Sequence, residues 1–306
     1  MKIYSPSQTV AFMECPTNRE LSSIEKYVPI RLTRKEIGGI AGTAFAVGAE
    51  QYHKWLSGKP TGALEEDVSK QWVMQAGAAT VEELSDYTEA GCELSGDLAD
   101  FRHSLPGLVM RGVRRYIDKA PIPKLWNILS VEETIREAGY CRPDLIFDLY
   151  DALGMADVKF KLRLDKRYKD QTILEYLNSW QFYHYAWAAS LVHKRPCKTM
   201  TLILVTLEPF DVDIKTVSIE EEKMKLWKES ADTVWRIMNA VDGNCEPLME
   251  RIRTVGDLYP WHTFKFWGKF GKESFSDAVL EYNLDPNSMK QGYVILDRKS
   301  RQRKIE

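Results

Sequence analysis

Two short apolar runs, each interrupted by charge, constrain this chain more than any other stretch. Arg142-Pro143-Asp144-Leu145-Ile146-Phe147 is followed, after a polar break, by Met155-Ala156-Asp157-Val158-Lys159-Phe160. The pattern predicts the two strands of a β-hairpin, one entered on Pro-Asp and the other carrying Asp-x-Lys. Side chains alternate faces along a strand, so Asp157 and Lys159 share one side and Val158 takes the other. With Asp144 beside Asp157 on the paired strand, two carboxylates converge with a lysine at their edge. Such a cluster suits a divalent cation bound by hard oxygen ligands, with the lysine positioning or activating a water.

The rest of the composition narrows the class. A chain of 306 residues has ample length for a sizeable core, as one large domain or two. Hydrophobic residues at 44% and charged residues at 28% are ordinary for a soluble globular protein. The net charge of −2 excludes a globally basic nucleic-acid binder but leaves room for a local basic surface. Five scattered cysteines, Cys15, Cys92, Cys141, Cys197 and Cys245, contain no C-x-x-C pair, which favours free thiols in a reducing compartment. There is no N-terminal signal pattern and no run of about 18 apolar residues, so the expectation is a cytoplasmic protein without membrane contact.

Along the chain, Ser5-Pro6 predicts a helix start and Cys15-Pro16 its end or bend. Residues 36–57 form the next predicted helix, with Phe45, Tyr52 and Trp55 at helical spacing and a stop at Gly58-Lys59-Pro60. Residues 63–118 predict two or three helices, including a basic face of Arg111, Arg114, Arg115 and Lys119. Leu125 to Ile135 predicts a strand leading to the hairpin. The run 159–169 carries six basic residues in eleven and predicts a solvated loop, or a phosphate-tracking surface if it borders the acidic cluster. A long helix is predicted from about Thr172 to His193, then strands at Thr199–Leu207 and Asp211–Val217, then an amphipathic helix at Glu220–Val241. Trp180, Tyr183 and Trp187 are expected to pack in the core.

In this order the residues resemble the PD-(D/E)xK nucleases of the RecB and Cas4-like branch. The features that carry the likeness are Ser-Pro-Ser, Cys15-Pro16, Gly42-Thr43-Ala44-Phe45 opening a helix, Pro143-Asp144, Asp157-x-Lys159, and Gln181-x-x-x-Tyr185 on the following helix. The resemblance spans residues 4–240 in element order, and 142–185 is its specific part. It implies an α/β, restriction-endonuclease-like core with a mixed central sheet flanked by helices, plus an N-terminal helical portion. The expected divisions are 1–120 helical, 121–245 nuclease core, and 246–306 a C-terminal extension packing on the core.

The resemblance also implies a metal-dependent deoxyribonuclease, an exonuclease of recombination, repair or phage replication, in the host cytoplasm if viral. Asp144 and Asp157 become metal ligands, with the Val158 carbonyl as a third. Lys159 orients the attacking water or stabilises charge on the phosphate. Gln181 and Tyr185, one helical turn apart, face the site and bind the substrate strand or support Lys159. Oxygen-only ligation implies Mg2+ or Mn2+. The expected partner is DNA, single-stranded or at duplex ends. No Walker A motif is present, so any helicase or recombination partner is a separate chain. The alternative is a non-catalytic DNA-binding or assembly protein with a degenerate nuclease fold.

Two departures from the pattern bear on that alternative. Relatives carry a metal-binding histidine four residues after the helix glycine, where this chain has Ala46. His53 lies roughly 10 Å further along the axis, and Glu50 is a second outside candidate; of Glu132 and Glu133, Glu132 better matches a glutamate common in the family. Many relatives also bind an iron–sulfur cluster through one N-terminal and three C-terminal cysteines. Here Cys15 resembles the first, but 261–270 contain none, so no cluster is expected and Phe264, Phe266, Trp267 and Phe270 are expected to form an aromatic plug.

Overall fold

The computed structural model describes residues 1–14, 27–29, 31–32, 34–58, 66–94, 101–119, 122, 126–243 and 293–295. Cys15, Cys245 and the aromatic stretch 261–270 lie outside them. The first elements are α1 (Pro6–Glu14), β1 (Tyr27–Pro29), β2 (Arg31–Leu32), α2 (Arg34–Gly58), α3 (Glu66–Glu89), β3 (Glu93–Leu94) and α4 (Phe101–Lys119). There follow β4 (Asn127–Val131), β5 (Leu145–Leu149), β6 (Ala152–Arg163), α5 (Lys169–Leu177), α6 (Trp180–His193), β7 (Cys197–Glu208), β8 (Phe210–Ser218), α7 (Glu221–Gly243) and β9 (Tyr293–Ile295). Among the described residues no helix is long and apolar enough to cross a membrane.

The chain divides into two compact units. One comprises the described parts of Met1–Leu32, Asp86–Glu93 and Lys228–Glu306. There, the backbone amide of Thr9 bonds to the Ser5 carbonyl at 3.0 Å, beginning α1 where the Ser-Pro signal places it. Trp235 donates to Thr9 Oγ1 at 3.2 Å and Tyr4 donates to Asp242 at 2.7 Å, which fastens α1 to the end of α7. β1 pairs antiparallel with β9.

The other unit, Thr33–Ser85 with Leu94–Trp227, is an α/β layer structure. Its mixed sheet has the order β4-β5-β6-β7-β8, antiparallel except for the β6–β7 pair. A parallel pair needs a crossover, and α5 and α6 supply it. The two faces of the sheet follow from strand alternation. Ile146, Leu153, Met155, Met200, Leu202 and Leu204 join Phe182, Tyr185, Ala186 and Ala189 of α6 in one buried cluster. On the opposite face Phe160 stacks on Phe45 of α2, with ring centroids 4.6 Å apart, and approaches α4 at Gly112. Gly154 has no room for a side chain, because the Phe147 ring lies where its Cβ would be. That ring stacks at 3.8 Å on Trp126.

Two predicted boundaries are corrected. The strand expected over 125–135 ends at Val131, because Glu132 takes a left-handed backbone, φ 52°, and leaves the ladder. The helix expected over 172–193 is two helices. Asn178 donates its side-chain amide to the Leu174 carbonyl at 2.9 Å, closing α5, and Ser179 Oγ accepts from the Phe182 amide at 3.4 Å, opening α6. An Asn-Ser pair is a stop followed by a start, and that local signal outweighs the continuous apolar texture around it. The basic run 159–169 is likewise not a single loop. Lys159 to Arg163 complete β6, Lys166–Tyr168 make a short 3-10 turn, and Lys169 begins α5.

Candidate functional site

The hairpin forms in the expected place. Leu145 pairs with Ala156 and Ile146 with Met155, which sets Asp144, just before β5, beside Asp157 and Val158 on β6. The contact is direct: the Val158 backbone amide donates to Asp144 Oδ2 at 2.6 Å. Val158 therefore addresses the cluster through its N–H. Lys159 Nζ stands 2.7 Å from Asp157 Oδ2, a buried ion pair. Lys159 also donates to Gln181 Oε1 at 3.3 Å, and Gln181 Nε2 donates to the Tyr185 hydroxyl at 2.6 Å. Asp144, Asp157, Lys159, Gln181 and Tyr185 are thus one connected group spanning β5, β6 and α6.

A third carboxylate joins them. Glu132 follows β4, its amide donates to the Asp144 carbonyl at 3.0 Å, and its left-handed backbone turns the side chain inward while Glu133 is exposed. Arg142 meets Glu132 with Nε 2.8 Å from Oε2. The alternation of Glu132 and Glu133 indicated that only one could face the cluster. Arg142 carried no signal, because arginine before a Pro-Asp turn is an ordinary surface residue.

The electrostatics follow from crowding acids where water is excluded. Burial pushes the Asp144 carboxyl well above the usual carboxylate range, and Asp157 and Glu132 push it further, against Lys159 and the Val158 amide. Burial also raises Asp157, with Lys159 opposing. Burial raises Glu132 as well, opposed by Arg142 and reinforced by Glu50 and Asp157. Lys159 is held above its ordinary value: burial alone would lower it, but Asp157 and Asp144 outweigh that effect. It stays an ammonium at neutral pH, suited to stabilising anionic charge and not to removing a proton. Tyr185 is raised chiefly by burial and stays protonated.

Whether these residues suit a divalent cation turns on their donor chemistry. Three carboxylates crowded together with water largely excluded, Asp144, Asp157 and Glu132, form an oxygen-only set suited to a hard cation. In the conformation described, Asp157 is turned onto Lys159 and Asp144 onto the Val158 amide. Among the described residues no group of three or more metal-ligating side chains closes around a common point.

The helix candidates fare differently. Glu50 pairs with Lys54 at 2.6 Å and acts on Glu132 electrostatically. His53 is buried, with Nε2 2.9 Å from the Tyr116 hydroxyl and its ring edge-on to that phenol. Burial lowers its pKa to about 3, so it is neutral and structural. A histidine with a depressed folded value destabilises the fold progressively as pH falls below about 6.5, because only the unfolded chain takes up the proton. His53→Leu should cost about 1–3 kcal/mol at pH 7 by orphaning the Tyr116 hydroxyl. It should also flatten the acid limb of stability, as urea denaturation between pH 4 and 7 would show. Trp180 and Trp187, both half-buried, pack against the buried Trp227, with centroids at 5.3 and 6.0 Å.

No protein-family model matches this chain, and a search of curated proteins finds no match either.

Proposed function

We propose that this protein is a divalent-metal-dependent DNA nuclease with a restriction-endonuclease-like core, of the RecB-like branch of the PD-(D/E)xK nucleases. The observation that carries this reading is the connected group of Asp144, Asp157 and Lys159 on adjacent strands, backed by Gln181 and Tyr185 from α6. The five-stranded mixed sheet with helices on both faces is compatible with that core. Asp144 and Asp157 would hold Mg2+ or Mn2+, with Glu132, at the position of the glutamate common in that family, as a third carboxylate beside them. When bound, the ion polarises a phosphate oxygen and makes a water a better nucleophile.

The chain's own residues do the rest. Lys159, held cationic by the acids, neutralises charge developing on the phosphate. Gln181 fixes its ammonium, and Tyr185 fixes the Gln181 amide. Exonucleolytic action on DNA ends or single strands is the mode the motif resemblance favours. A second reading, DNA binding without cleavage, draws on Ala46 and on the open arrangement of the acids.

End-labelled single- and double-stranded DNA, incubated with the protein and Mg2+ or Mn2+, should be shortened by the wild type and left intact by Asp157→Ala. No cleavage by the wild type favours the second reading. Cleavage that survives the substitution removes the site assignment. An RNA substrate in parallel tests the choice of nucleic acid.

A further inference from the structure

We infer that the outer half of β6 is a phosphate track for single-stranded DNA, with Lys161 as its first contact beyond Lys159; this rests on the nuclease reading above. Lys159, Lys161 and Arg163 are alternate residues of one strand, so their side chains leave the same face as Gln181 and α6. Alternate residues are spaced by about 6.6 Å, which is comparable to the separation of neighbouring phosphates in an extended strand. A cation ladder of that period matches an extended backbone better than a duplex groove.

The neighbouring cations are already engaged. Lys169 is clasped by Asp211 and Asp213 at 2.9 and 2.7 Å, and Arg167 folds back on Asp165 at 2.7 Å. Lys159 belongs to Asp157. Lys161 has no carboxylate partner among the described residues, and its register neighbour on β7 is Thr206. Its ammonium is instead held 5.4 Å from the centre of the Tyr176 ring, and Lys159 lies 5.9 Å from the same ring. Tyr176, at the end of α5, thus gathers two ammonium groups side by side without neutralising either. Arg163 continues the line at the exposed end of the strand, where Glu208 is its register neighbour. The line of positive charge therefore begins at the acidic centre and runs outward along one strand.

The test is the binding of a fluorescein-labelled oligothymidylate by the full chain in EDTA, followed by anisotropy across a salt series. Losing one phosphate contact should lower the slope of log affinity against log salt by about 0.7. For Lys161→Ala that makes the loss of affinity relative to wild type roughly fivefold larger at 0.1 M than at 1 M salt. Lys161→Arg should restore the slope, and a blunt duplex should not distinguish the variants. A wild type that does not bind the oligonucleotide, or a Lys161→Ala slope equal to wild type with Lys161→Arg as the folded control, overturns the inference. Because no metal is present, a Lys161-dependent slope in a protein that never cleaves DNA would sink the nuclease reading and leave the track standing.

Discussion

Lys159→Met should unfold much of this protein's stability margin as well as its activity. Lys159 is the cation facing Asp157, whose side chain is almost fully buried. Removing one member of a buried pair leaves the other charged without a partner, at a cost of about 3–5 kcal/mol. Cleavage under the proposed function should fall by about 100- to 1,000-fold, the usual effect of deleting one preorganised charge stabiliser. The double variant Asp157→Asn with Lys159→Met separates the two roles. It should recover most of the stability, since neither buried charge remains, while cleavage stays lost. Urea denaturation of wild type, Lys159→Met, Asp157→Asn and the double variant in one buffer, beside cleavage of labelled DNA in Mn2+, measures both. A single Lys159→Met variant as stable as wild type would show that the pair is not desolvated as described.

Asp144→Asn should have the opposite effect on the fold. A carboxyl whose folded value is raised contributes stability that is present at low pH and lost as pH rises through that value. At neutral pH the metal-free protein therefore carries Asp144 at a cost. Asparagine keeps an oxygen to accept from the Val158 amide and offers an N–H toward Glu132, so metal-free stability should rise by on the order of 1 kcal/mol. Cleavage should be abolished, and so should any rise in melting temperature that Mg2+ or Mn2+ gives the wild type. Thermal melts with and without the ions check this. A variant less stable than wild type at pH 7, or one still stabilised by the ions, contradicts the site as drawn.

How much of this was visible in the residues depends on range. The alternation around Asp157 and Lys159 is a two-residue signal, and it placed the hairpin and the shared face because strand geometry leaves no other option. Gln181 and Tyr185, one turn apart, needed only a helix to meet each other. The helix break at Asn178-Ser179 was equally local and legible, but the aromatic texture of the flanks hid it. The inward turn of Glu132 depends on a left-handed backbone that a glutamate rarely adopts, and the Arg142 partner is a tertiary contact. The fate of His53 depended on Tyr116, 63 positions away, which no spacing rule reaches. The basic run divided because Lys169 finds two aspartates of β8, again across a long loop of chain.

The parallel pairing of β6 with β7 has a kinetic consequence. The hairpin β5–β6 closes over a few residues, whereas pairing Asp157 with Leu202 closes the far longer loop that contains both crossover helices, so contact order puts it later. Until that non-local step the acids remain hydrated and their repulsion is screened by water. The step that completes the hydrophobic sheet is therefore also the one that energises the acidic centre. Local detachment of β7 would discharge it, without disturbing the hairpin that carries it.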